Sequence, residues 1–93
     1  MVNAIVLIQT THGKINNVAE QLAEISEISE VYSVGGSFDV IAIIRVHMNE
    51  DIADLVTEKM QQIDGIERTE TMIAFKAYSR HDLDGLFSIG LEN

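Results

Sequence analysis

The run Val40-Ile41-Ala42-Ile43-Ile44-Arg45-Val46 is apolar at all but one position, and it constrains the fold more than any other stretch of the chain. In an extended segment alternate side chains point to opposite sides. Phe38, Val40, Ala42, Ile44 and Val46 then share one side, and Ile41 and Ile43 the other. A strand with two apolar sides needs cover on both, so it belongs in the middle of a layered structure. Ahead of it stands Ser33-Val34-Gly35-Gly36-Ser37-Phe38-Asp39, which reads as a tight turn. Both glycines are expected to take positive φ, reversing the chain and leaving backbone N–H groups uncovered. Asp39, a charge at the mouth of the strand, has two roles open to it. It can stabilise the turn, or it can hold a small zwitterion together with the free amides.

The flanking pattern supplies the other layers. Residues 2–9 are a short β-branched run that favours a buried strand over a helix. Ile15, Val18, Ala19, Leu22 and Ile25 recur at steps of three and four opposite Lys14, Asn17, Glu20, Gln21 and Glu24, an amphipathic helix. Residues 30–34 form a second strand before the glycine turn. After the central strand, Asn49 is expected to cap a second helix with Glu50 and Asp51 in its first turn. The stripe of that helix is Ile52, Leu55, Val56, Met60 and Ile63, and Asp64-Gly65 is its left-handed stop. A last strand covers residues 66–78, with Thr69, Thr71, Ile73, Phe75 and Ala77 on one side. The order is βαββαβ, a ferredoxin-like α+β arrangement with both helices on one face of a four-stranded antiparallel sheet. Residues 1–93 read as one domain, with 79–93 a tail in which Leu83, Leu86 and Phe87 can form a docked helical turn.

Composition removes several functions. There is no cysteine, so disulfide scaffolds and thiolate metal sites are excluded. Fifteen acidic against six dispersed basic residues give a net charge of −9, which argues against direct nucleic-acid binding. No apolar run is long enough to span a bilayer and no basic leader precedes the first strand, so a cytoplasmic location is expected. His12, His47 and His81 form no helical ligand pair, and neither a metal nor another cofactor is expected. Ser33 and Ser37 lack a partnered base, and the glycine pair is not followed by the Lys of a phosphate loop. Met48, Met60 and Met72 read as core filler.

The two helices cover one sheet face, and the other shows no polar alternation. Strand one carries Val2, Ala4, Val6 and Ile8 against Ile5 and Leu7, and the central strand is apolar on both sides, so either face presents large aliphatic side chains. Each such side chain left wet forgoes roughly 1.5–3 kcal/mol. A second copy packed face to face, a two-fold dimer, is the simplest cover.

The βαββαβ order, the Gly35-Gly36-Ser37-Phe38-Asp39 turn and the stretch Asp64-Gly65-Ile66-Glu67-Arg68-Thr69-Glu70-Thr71 together resemble the effector-binding (RAM) domain of Lrp/AsnC transcriptional regulators. The resemblance covers residues 2–78. It implies dimers joined through their sheets as a dimeric α/β barrel, assembling further to an octamer. It also implies amino-acid effectors bound in clefts between dimers, at Gly35, Gly36, Ser37, Phe38 and Asp39, with Thr69 and Thr71 as further contacts. Phe38 stands where the family commonly has Tyr, which removes a phenolic hydrogen bond. Full-length members carry a helix-turn-helix ahead of this domain. The chain is therefore expected to be a stand-alone member or an excised domain, a non-enzymatic module that mixes into assemblies of full-length regulators. Two alternatives are a dimeric α/β-barrel enzyme of the monooxygenase or haem-degrading type and an interaction domain without ligand.

Overall fold

Hydrophobic alternation and helical periodicity translate directly into the observed elements of the computed structural model, which describes residues 1–78. They are β1 (Val2–Thr10), α1 (Ile15–Ala23), β2 (Ile28–Ser33), β3 (Val40–Val46), α2 (Asn49–Asp54) and β4 (Ile66–Ala74). The order is the expected βαββαβ. The strands form one sheet in the order β2-β3-β1-β4, antiparallel at every pairing. The expected tail, residues 79–93, and its docked turn lie outside the described residues.

The core forms where the two central strands face the helices. Ala4, Val6 and Ile8 of β1 stand opposite Ile44, Ala42 and Val40 of β3, and all six are fully buried. Val18 and Leu22 of α1, with Ile52 and Leu55 of the second helical segment and Met60 beyond, close over them. On the reverse side Ile5 pairs with Ile43 and Leu7 with Ile41, and these four are only half-buried. Met72 beside Ile5, and Tyr32 beside Ile41, extend this apolar patch, at 45% and 49% exposure. Among the described residues nothing forms a layer over it.

Several expectations are corrected. β4 stops at Ala74 rather than at residue 78, because it pairs only with β1 and its last partner there is Asn3. Past that point no ladder remains, and Phe75 is 98% exposed. β2 begins two residues early, at Ile28, whose side chain enters the core. Asn49 does not cap α2. Met48 occupies the cap position, and Asp51 Oδ2 accepts its N–H at 3.2 Å. Nor does the second helix stay regular. It widens into a π turn over Leu55–Lys59 and tightens into a 3₁₀ turn over Met60–Gln62. The Met60 N–H donates to Leu55 O, five residues back, and that spacing puts both side chains into the core. Finally, the helices cover β4 incompletely: Thr71 and Ile73, on its helix side, remain exposed.

Candidate functional site

Between β2 and β3 the chain reverses through residues 34–39, and backbone bonds hold both ends of this turn. Val34 N–H donates to Asp39 O at 2.9 Å, closing the loop. Asp39 N–H donates to Ile8 O at 2.9 Å, tying it to β1. The side chain adds a second tie: Asp39 Oδ2 accepts from Thr10 N–H at 2.9 Å and from the Thr10 hydroxyl at 3.3 Å. β1 and β3 stop pairing at Ile8 and Val40, so beyond that point the carboxylate supplies the acceptor that a strand carbonyl otherwise provides. Thr10 is only 8% exposed, and its polar groups need this partner. Of the two roles open to Asp39, the turn-stabilising one is therefore filled by Oδ2. Oδ1 has no hydrogen-bond partner among the described residues.

The crest of the turn is different. Gly36 has a φ of 121°, in the left-handed region. Gly35 does not, so only one of the two glycines supplies the expected positive φ. Gly35, Gly36 and Ser37 are exposed and Phe38 is half-buried. The amides of these four residues find no acceptor among the described residues. A short run of free N–H groups on a turn fastened at both ends is an anion-receptive surface.

The neighbouring strand brings two further groups to this end of the sheet. Thr69 pairs with Ile8, the residue whose carbonyl receives the Asp39 N–H, so it stands one strand across from the turn base. Thr71 pairs with Val6, about 7 Å further along the strand. Thr69 is thus gathered with the turn, and Thr71 is set apart from it. The sequence reading missed Thr10 and Arg68. The Arg68 guanidinium lies over the Phe38 ring, 5.3 Å from its centroid. A bulge at Glu67, where the register passes from Gln9–Arg68 to Thr10–Ile66, sets its position. Arg68 and Thr69 also line a cavity of about 130 Å³ with Met60, Gln61, Ile63, Ile66 and the acidic Glu67. No group of three or more potential metal ligands occurs among the described residues, and His12 and His47 are exposed. No described helix is long and apolar enough to cross a membrane.

A ferredoxin-like α+β domain with a donor-rich turn at one end of its sheet is the class these features define. The chain belongs to the Lrp/AsnC ligand-binding domain family, which matches residues 3–83. It is 35% identical over 75 residues to the HTH-type transcriptional regulator FL11 of Pyrococcus furiosus, a match covering 81% of this chain and 49% of that protein. The chain thus spans about half the length of this curated relative. The crystal structure of TTHA0845 from Thermus thermophilus superposes with a TM-score of 0.80 at 40% identity, over 86% of this chain and 100% of that one. The transcriptional regulator NMB0573 of Neisseria meningitidis, solved as a complex with L-Met, superposes with a TM-score of 0.76 over 85% of this chain and 53% of that one. Its identity is 10%, so that likeness concerns the fold alone.

Proposed function

We propose that the chain is the effector-binding and assembly module of an Lrp/AsnC-type regulator and takes an amino acid at the turn of residues 35–39. One observation carries this reading: four consecutive amides have no acceptor among the described residues, on a turn that Asp39 holds in place. The α-carboxylate is received by those N–H groups, and Asp39 Oδ1 accepts from the ammonium. Gly35, Gly36, Ser37, Phe38 and Asp39 form the site, Thr69 adds a hydroxyl from the next strand, and Thr71 continues that row. Support for a small-molecule ligand comes from the match to the Lrp/AsnC ligand-binding domain. The apolar sheet face around Ile5, Leu7, Ile41 and Ile43 pairs with a second copy, dimers assemble to an octamer, and the module mixes with full-length regulators.

A thermal-shift screen of the twenty amino acids tests the site. One or a few are expected to raise the melting temperature at millimolar concentration, since a ligand bound only by the folded state stabilises by about 2.7 kcal/mol at a hundred times its Kd. A flat response to all twenty defeats the effector reading. Sedimentation showing only a 10.3 kDa particle defeats the assembly. Asp39→Asn is the informative variant. It keeps an acceptor for Thr10 and removes the charge that an ammonium needs.

A further inference from the structure

Resting on that reading of the turn, we infer that Arg68 is the charged receiver of the ligand's carboxylate and that Phe38 positions it. The guanidinium lies over the Phe38 ring at 5.3 Å. A cation held over a ring face is partly immobilised, while the in-plane N–H donors along the guanidinium edge stay open. Those edge donors match the two oxygens of a carboxylate. The chain carries 15 acidic residues against 6 basic ones, yet Arg68 has no acidic partner within 4 Å among the described residues. Lys14 and Lys59 are paired with Asp64 and Glu27, while Arg45 and Lys76, like Arg68, have no acidic partner within 4 Å among the described residues.

Position completes the argument. Phe38 belongs to the turn with the free amides, and Arg68 lines the cavity beside Thr69 and Gln61. The guanidinium therefore stands against a residue of the turn. A group there receives a carboxylate from a ligand seated against the turn. A platform for a cation needs only a ring face, which Phe38 supplies. The ligand class is then a free α-carboxylate, and an amino-acid amide or amine is a poor substitute.

The test titrates wild type, Arg68→Gln, Arg68→Lys, Phe38→Leu and Asp39→Asn by thermal shift and calorimetry. The probes are the twenty L-amino acids singly and, for each that binds wild type, its α-amide. Wild type is expected to prefer the acid over the amide. Arg68→Gln is expected to lose about tenfold to a hundredfold in affinity for the acid and most of that preference. Arg68→Lys should recover part of both, and Phe38→Leu should narrow the acid-to-amide ratio without lowering the unliganded melting temperature by more than a few degrees. If Arg68→Gln keeps wild-type affinity and preference while Asp39→Asn loses binding, the turn site stands and the Arg68 assignment is overturned. If no amino acid binds, or neither variant alters binding, the turn reading falls and the Arg68 assignment falls with it.

Discussion

Gly36 and Gly65 share a left-handed backbone, with φ of 121° and 104°, but their surroundings are opposite. At Gly65 an added Cβ meets Lys14 Cβ and Val18 Cγ2 at 3.0 Å. Its carbonyl also accepts the Thr11 N–H at 2.7 Å. The end of β1, the start of α1 and the entry to β4 converge on that one residue. At Gly36 nothing lies within 4 Å, and the amides around it are unpartnered among the described residues. The same residue type thus does two jobs. One glycine lets three elements approach closely, and the other holds a stretch of backbone open for something outside the fold.

Substitutions can break this contrast. Gly65→Ala is expected to cost the most, about 2–4 kcal/mol, because left-handed strain adds to a clash with α1 that backbone cannot easily relieve. Equilibrium urea unfolding measures it, and a cost no larger than at Gly36 refutes the packing account. Asp39→Ala follows at about 1–3 kcal/mol, since it strands the nearly buried Thr10 amide and hydroxyl. That loss makes the alanine variant a poor probe of ligand contact. Gly36→Ala should cost about 1–2 kcal/mol from strain alone. It should also weaken amino-acid binding by re-aiming the free amides, whereas Gly65→Ala should alter binding only as far as it unfolds the protein.

Two smaller effects sharpen the comparison from outside both turns. Lys59 Nζ bonds both carboxylate oxygens of Glu27, at 2.7 and 2.9 Å, and this holds the Glu27 carboxyl below its ordinary value of 4.5. A depressed folded-state pKa means stability that is present above the unfolded value and lost as pH falls through the folded one. Acid titration should therefore remove it below about pH 4.5. Lys59 is half exposed, so the effect is at most about 0.2–1 kcal/mol. Glu27→Gln should abolish it equally in variants of either turn. Gly35→Ala is expected to be the mildest, within about 0.5 kcal/mol, because Gly35 has no positive φ and nothing lies within 4 Å of the added carbon. A large loss there means that the turn is tighter than its open surroundings indicate.

Much of this molecule was readable from residue order. The two-sided apolar character of residues 40–46 placed β3 in the centre and showed that one sheet face lacks cover, while the structure decided that this face carries Ile41 and Ile43. Of the stripe Ile52, Leu55, Val56, Met60 and Ile63, four are buried in the core and Val56 packs against it only partly buried. The geometry of the stripe was not readable, because a π turn and a regular helix present the same residues until the core demands both Leu55 and Met60. The Asn49 cap failed for a similar reason. Asp51 competes for the same helix start, and only the chain's entry direction decides between them. At the site, the glycine turn was legible as a local motif. Thr10 and Arg68 were not, since each acquires its role from a residue about thirty positions away in the chain.

Sequence alone determined which segments are strands or helices, which side of each is apolar, and where the chain must reverse. Those properties are local: they follow from side-chain spacing and from the φ range open to glycine. Tertiary structure decided which glycine is walled in and which is open, that Asp39 spends one oxygen on Thr10, and that Arg68 meets Phe38. These depend on strand register. A shift of one residue between β1 and either neighbour turns every side chain to the opposite face, and no local pattern encodes that choice.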